Sequence, residues 1–162
     1  MDFSIAGDGP LHAALATFSA PPNLSTKLLG HVPYDRLPEV YAQSGLLAFP
    51  TLADEWGMVV VEAMASGLPV LGSVYSQAVD ELVVDGETGW TFRPDHPSEV
   101  KAAIHRALSE SNEQLDRSGL VARQGVKTMT PVAMADQIVA AADFACQRGA
   151  RLDRNILRNG AF

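Results

Sequence analysis

The fold of this chain is decided by residues 49–70, which read FPTLADEWGMVVVEAMASGLPV. An apolar run ends at Pro50, a short acidic loop follows, and a helical pattern extends over residues 57–66, where Gly67 is placed to end the helix. Residues 69–72 then begin another apolar run. The stretch therefore predicts a strand, a loop, a helix and a second strand in succession.

The same alternation continues on both sides of this stretch. Strands are predicted at residues 3–6, 25–30, 46–49, 69–72 and 90–92, and helices at residues 11–18, 38–44, 57–66, 76–83 and 97–109. Strands this short and this uniformly apolar are typical of a parallel sheet covered on both faces. With right-handed crossovers, the pattern predicts an α/β fold: a Rossmann-like, doubly wound parallel sheet of about five strands with helices on both faces.

The remainder of the chain is predicted to be helical. Helical patterns cover residues 113–129 and 131–146, which predicts a C-terminal helical extension. The last residues mix Arg, Asn and Gly without a clear period. We therefore expect one domain over residues 1–146 and a loosely ordered tail over residues 147–162.

The composition limits the class of protein. The 162 residues are 47% apolar and carry 12 basic against 19 acidic side chains, so the formal charge is −7. Such a deficit of Lys and Arg argues against nucleic acid or an anionic membrane as a partner, and no apolar run approaches the roughly 20 residues that span a bilayer. The lone Cys146 cannot form an internal disulfide, and the N-terminal MDFSIAGDGP lacks a signal-peptide pattern, so we expect a cytoplasmic location.

The sequence lacks the residue patterns of a metal site and of a serine hydrolase. His12, His96 and His105 have no second ligand at a metal-binding spacing, so no metal is expected. Ser73 and Ser76 do not lie in a G-x-S-x-G motif, which argues against a serine hydrolase.

Ligands of an open parallel sheet bind at the carboxyl ends of its strands. The first loop at such an end is Gly7, Asp8, Gly9 and Pro10, whose glycines allow a ligand to approach the backbone closely. A tight turn that caps the next helix explains the same residues. His12 stands where a G-x-G-x-x-G motif needs its third glycine, so this dinucleotide fingerprint is incomplete.

The acidic loop before the central helix is the most informative one. The amides of Gly57, Met58 and Val59 fall at the helix start, where free N–H groups and the helix dipole favour an anion. If the helix were continuous, Asp54 and Glu62 would lie ~12 Å apart along its axis, a separation that suits a sugar at one carboxylate and a ribose at the other. Asp54 as an ordinary helix-start acid and Glu62 as a solvent-facing residue explain the same spacing.

Within residues 49–70, the string F-P-x4-E-W-G-x-V-V-x-E-A-M-A-S-G-L-P-V resembles part of the family 4 retaining glycosyltransferases, the glycosyl transferases of group 1. Further segments match in the family's order, namely GDGP at residues 7–10, LGHVP at 29–33 and ELVVDGETG at 81–89. The resemblance extends over residues 2–108. It implies that the chain is one half of the two-domain GT-B fold, the C-terminal half that binds the nucleotide-sugar donor.

The resemblance also implies roles for the acidic loop and its helix. Glu62 matches the acid that hydrogen-bonds the ribose hydroxyls. Asp54 matches the acid that contacts the donor sugar, although the family has a longer Glu there, and Glu55 stands beside it. The amides of residues 57–59 match those that meet the sugar and the diphosphate.

Three other loops acquire donor-binding roles from the same resemblance. Gly7 and Gly9 match the family's Gly-Asp-Gly-Pro loop, and Gly30, His31 and Val32 match the loop near the nucleobase. Glu81 matches an acid that follows a small-residue loop. His31 as a surface histidine and Glu81 as a helix-face carboxylate remain alternatives.

For function, the resemblance implies transfer of a hexose from a UDP- or GDP-sugar to a hydroxyl acceptor with retained anomeric configuration and no cofactor. The family's basic pair, the first strand and helix of this domain, and the N-terminal acceptor domain are not matched, so we expect little turnover from the chain alone. The alternative is a non-catalytic fragment or split half that works with a separate acceptor domain, and a sugar-nucleotide epimerase is more distant. We also expect an open apolar flank that permits self-association.

Overall fold

A computed structural model describes the backbone of residues 1–158 and the side chains of residues 1–148. The strands are β1 (Asp2–Ala6), β2 (Ser25–Gly30), β3 (Leu47–Phe49), β4 (Val70–Ser73) and β5 (Gly89–Phe92). The helices are α1 (His12–Ala16), α2 (Leu37–Ala42), α3 (Met58–Ala65), α4 (Gln77–Leu82), α5 (Pro97–Leu108), α6 (Asn112–Val126) and α7 (Pro131–Arg158), with a short 3-10 helix at Tyr34–Arg36 before α2. The predicted α/β class and its order of elements are confirmed.

All strand pairs are parallel, and they form two hydrogen-bonded groups. β1 pairs with β2, with Asp2 opposite Ser25. β4 lies between β3 and β5, with Val70 opposite both Leu47 and Gly89. Within residues 1–158, no ladder joins β1 to β3. The strands are therefore parallel as predicted, but they form a two-stranded and a three-stranded sheet instead of one sheet of five strands.

Helices cover both faces of the three-stranded group, as predicted. On one face Val70 of β4 joins Val60 and Met64 of α3 in a buried cluster that also includes α4 and α6 residues. On the other face Leu71 and the next strand pack against α5, in a cluster of Leu71, Trp90, Phe92, Ala103 and Ala107. Because neighbouring residues of β4 point to opposite faces, both sides of the strand are buried.

The unit formed by β1, α1 and β2 has a more open surface. Phe3 of β1 is 40% exposed, and Leu11 and Phe18, which flank α1, are 70% and 59% exposed. Apolar side chains are therefore accessible on this flank of the chain. Self-association through this flank stays a prediction.

The C-terminal helices confirm the predicted extension. α6 packs on α3 through a buried stripe that includes Ser118, Ala122 and Val126. α7 continues to Arg158, beyond the predicted end at residue 146. The predicted tail thus begins inside this helix, and residues 159–162 lie outside the described residues. No helix in the described part of the chain is both long and apolar enough to cross a membrane.

The contact between α3 and α6 is close because Gly119 lies against the backbone at the end of α3. A Cβ atom on Gly119 would collide with the carbonyl oxygen of Gly67 and lie 3.4 Å from Cδ of Pro69. Gly125, in the same helix, has open space at its Cβ position. Substitution of Gly119 by alanine therefore tests both steric fit and helix propensity, whereas the same substitution at Gly125 tests helix propensity alone.

We predict that Gly119→Ala lowers the free energy of unfolding by about 1–3 kcal/mol, because α6 must move away from α3. Gly125→Ala is the matched control and should raise it by up to about 1 kcal/mol, because alanine stabilises a helix interior. Urea unfolding of the wild type and both variants measures the difference. Equal effects of the two substitutions would contradict the close packing of α6 on α3.

Candidate functional site

The loops that follow the strands lie at the carboxyl edge of each parallel group. The amide of Gly7, just after β1, donates to the carbonyl oxygen of Gly30 at the end of β2, at 2.8 Å. Gly7 and Gly30 have φ angles of +130° and +64°, a region that favours glycine. The structure therefore brings together the first two predicted ligand loops.

The Gly-Asp-Gly-Pro loop forms a local turn. The Asp8 carboxylate accepts from the amide of Gly9 at 2.7 Å and lies 3.3 Å from the His12 ring. The carbonyl oxygen of Gly9 accepts from the amide of His12 at 3.0 Å. These contacts within the loop fit the interpretation of a tight turn. Gly7 and Gly9 are exposed to solvent.

Asp54 organises the loop between β3 and α3. One of its carboxylate oxygens, Oδ1, accepts from the amide of Trp56 at 3.0 Å. Its own amide donates to the carbonyl oxygen of Tyr75 at 3.2 Å, so this loop lies beside the one after β4. The Asp54 side chain is partly buried, whereas Glu55 is exposed.

Ser76 joins the starts of α3 and α4. Its buried hydroxyl donates to the carbonyl oxygen of Trp56 at 2.7 Å, and the amide of Ala78 donates to the same oxygen, also at 2.7 Å. A Cβ on Gly57, whose φ is +98°, would collide with the Ser76 hydroxyl. The sequence predicted no role for Ser76, which the structure shows to be a fixed contact of the site.

Backbone donors are available where α3 begins. The amides of Gly57, Met58 and Val59 donate to no other group among residues 1–158, and the first bond of this turn runs from the amide of Val60 to the carbonyl oxygen of Gly57 at 2.9 Å. α3 begins at Met58 rather than Gly57. First-turn amides without an acceptor and the helix dipole together favour an anion here.

The ~12 Å separation given for Asp54 and Glu62 applies only to a continuous helix. In the structure, residues 54–57 belong to the loop that the sequence predicts, and α3 begins at Met58. The short Asx turn at Asp54 competes with helix at this position, because its side chain satisfies the Trp56 amide locally.

Glu62 has one buried partner that the sequence did not reveal. The hydroxyl of Tyr41, in α2, donates to Oε2 of Glu62 at 3.0 Å. Burial, and then this hydrogen bond, raises the pKa of Tyr41 well above its ordinary value. A signal was available: Tyr41 lies on the apolar face of α2, and a buried tyrosine hydroxyl normally finds a polar partner.

Glu81 lies apart from these contacts. It is exposed on α4, and its carboxylate accepts from the amide nitrogen of the Gln77 side chain at 2.6 Å, one helical turn away. This contact fits the helix-face interpretation, and a role for Glu81 in donor binding stays a prediction.

A cavity of about 340 Å³ lies beside the loop after β2. It is lined by Leu29, His31, Val32, Pro33, Arg36, Glu39 and Val40. Arg36 pairs with Glu39 at 2.7 Å, and both side chains are exposed. His31 and Val32, predicted to lie near a nucleobase, therefore line an open depression on the protein surface.

Together these features define a chain of the α/β class, with its candidate ligand site at the carboxyl edge of parallel strands. The family model for "Glycosyl transferases group 1" matches residues 1–110. The chain belongs to this family, and the predicted resemblance is confirmed at that level. An uncharacterized glycosyltransferase of Methanocaldococcus jannaschii, MJ1178, is 30% identical over 118 residues, covering 72% of this chain and 33% of that protein.

Solved structures support the fold. The pneumococcal O-GlcNAc transferase GtfA, in complex with UDP and GlcNAc, has a TM-score of 0.71 at 20% identity over 88% of this chain and 29% of its own. HepE of Anabaena, in complex with UDP and glucose, has a TM-score of 0.63 at 23% identity, covering 85% and 40%. The chain thus spans well under half the length of these proteins, and about a third of MJ1178.

The raised pKa of Tyr41 predicts a specific result in an alkaline titration of the three tyrosines. The fold favours the neutral phenol, so its stabilisation is full below pH ~10 and is lost only as the pH rises toward the higher folded pKa. In phenolate absorbance at 295 nm, Tyr41→Phe should therefore match the wild type up to pH ~11.

The denatured chain provides the control for this titration. In 8 M urea, a common denaturing condition, Tyr41 should ionise near pH ~10, and the variant should then lose about a third of the absorbance change. A loss of the same size in the folded protein below pH ~11 would contradict the burial and hydrogen bonding of Tyr41.

Proposed function

We propose that this chain is the donor-binding part of a family 4 retaining glycosyltransferase and that its ligand is a UDP- or GDP-sugar. The observation that carries the proposal is that the amides of residues 57–59, which lie in sequence between the acids Asp54 and Glu62, donate to no other group within residues 1–158. The family match and the UDP complexes of GtfA and HepE support the same ligand class.

The diphosphate is assigned to the start of α3. Its backbone donors require no positive side chain, which agrees with the chain's formal charge of −7. The positive φ of Gly57 and the Ser76 hydroxyl fix the orientation of this turn. An oxyanion would therefore meet donors that are already in position, with little ordering cost.

The donor sugar is assigned to Asp54. Oδ1 of this residue accepts from the Trp56 amide, which leaves Oδ2 to accept from a sugar hydroxyl. Asp reaches one methylene less than the Glu that the family has here, and Glu55 is exposed beside it. The sugar must therefore lie close to the loop itself.

The nucleoside is assigned to Glu62 and the cavity at His31 and Val32. A carboxylate accepts from both hydroxyls of a ribose, and the cavity gives the base an apolar wall from Leu29 and Val40. Gly7 and Gly30 join the two loops beside this cavity and present no side chain to a ligand.

The transfer itself is assigned to a larger assembly in which a separate acceptor domain or chain completes the site. This second reading is favoured because the chain spans only about a third of MJ1178. Arg36 and Arg93, which follow β2 and β5, already pair with Glu39 and Glu99. Since stabilisation of a leaving diphosphate is a large part of such catalysis, we expect donor binding without turnover from the chain alone.

Calorimetric titration with UDP, GDP and ADP tests the proposal. We predict that UDP or GDP binds below millimolar Kd and that Glu62→Ala weakens it by about tenfold or more, because hydrogen bonds to a charged group are lost. Glu87→Ala is the control, since Glu87 lies in the turn before β5, at the opposite edge of the sheet, and should leave the affinity unchanged.

Millimolar or absent binding of all three nucleotides, with no effect of Glu62→Ala, would contradict the proposed function. Binding without transfer to any hydroxyl acceptor would support the reading in which a separate acceptor domain is required.

A further inference from the structure

Tyr41 links the two regions assigned to the nucleoside. It lies in α2, whose preceding residue Val40 lines the cavity at His31 and Val32, and its hydroxyl reaches Glu62 in α3. The two residues are 21 positions apart in sequence. The contact therefore depends on the packing of α2 against α3.

The ring of Tyr41 is held by apolar packing. Its side chain is 8% exposed and belongs to a buried cluster with Ala63 and Leu68. Leu37, Leu47 and Val59 pack around this cluster. The ring is fixed from several elements at once, so its hydroxyl has a defined position.

That position constrains Glu62. Its carboxylate is bonded at Oε2, and no other group within residues 1–148 hydrogen-bonds to either oxygen. A free glutamate side chain loses rotamer entropy when it is immobilised. Because Tyr41 already orders the Glu62 side chain in the folded protein, part of this entropy is lost on folding and not on ligand binding. Oε1 of Glu62 remains free to accept a hydrogen bond from a ligand.

We propose that Tyr41 is a positioning residue that holds the Glu62 carboxylate toward the ribose hydroxyls and so favours ribonucleotides over analogues that lack these hydroxyls. The inference rests on the proposed function, because it assigns the ribose to Glu62. It adds a residue from α2 that does not itself touch the ligand.

Tyr41→Phe distinguishes the contribution of the hydroxyl from that of the ring. The variant keeps the aromatic packing and removes only the donor to Glu62. Tyr34→Phe is the matched control: Tyr34 lies in the adjoining 3-10 helix, is 78% exposed, and its hydroxyl bonds to no group among residues 1–148.

The experiment measures Kd for UDP and GDP, each beside its 2′,3′-dideoxy analogue, in the wild type, Tyr41→Phe, Tyr34→Phe and Glu62→Ala. The wild type should prefer the ribonucleotide by about tenfold, through hydrogen bonds to a charged acceptor. Tyr41→Phe should lower this preference by about fivefold, through weaker binding of the ribonucleotide alone. Tyr34→Phe should retain the wild-type preference, and Glu62→Ala should abolish it.

The outcomes distinguish the inference from the function on which it rests. A preference lost in Glu62→Ala but unchanged in Tyr41→Phe overturns the role of Tyr41 and leaves the proposed function in place. Equal weakening of both nucleotides in Tyr41→Phe shows a merely structural role and also overturns it. Absence of binding or of any ribose preference in the wild type overturns both.

Discussion

The junction between β3 and α3 is the constraint on which the candidate site depends. Gly57 adopts a left-handed conformation, and a Cβ atom at this position would collide with the Ser76 hydroxyl, so no side chain fits there. The same hydroxyl holds the Trp56 carbonyl oxygen, and Asp54 holds the Trp56 amide. These bonds hold the loop in place, and the amides of residues 57–59 donate to no group within residues 1–158.

The core behind this junction makes the arrangement rigid. Val60 and Met64 of α3 are buried against β4, and α6 packs on the same apolar cluster, with Gly119 close to the turn that ends α3. A displacement of α3 would open this core, so the start of the helix is held in place. The polar site at the start of α3 is in this way supported by the apolar packing of the rest of the helix.

The sequence predicted much of this fold because local patterns decide it. The strand at residues 25–30 has the predicted bounds, and α3 ends just before Gly67, which has a φ of +85°. Gly57, Met58 and Val59 were predicted as anion donors from the position of the helix start alone. The acidic loop at Asp54 was predicted as a loop, but the hydrogen bond from the Trp56 amide to Asp54 that shapes it was not.

Tertiary contacts explain the remaining differences. The bonds of Tyr41 to Glu62 and of Ser76 to Trp56 join residues 21 and 20 positions apart, and no periodic pattern encodes such a pairing. The division of strands into two groups likewise depends on which edges meet, not on the apolar runs themselves. The proposed function assigns a ligand class to these donors and acids on the basis of family membership, because the geometry alone leaves that class open.

In the proposed function, the first amides of α3 hold the diphosphate of the donor. An amide NMR titration of the ¹⁵N-labelled chain with UDP and with GDP tests it most directly. If the diphosphate binds there, Gly57, Met58 and Val59 should show the largest shift changes, followed by His31 and Val32, while Gly125 of α6 stays unperturbed. Saturable binding that leaves the amides of residues 57–59 unchanged would contradict it.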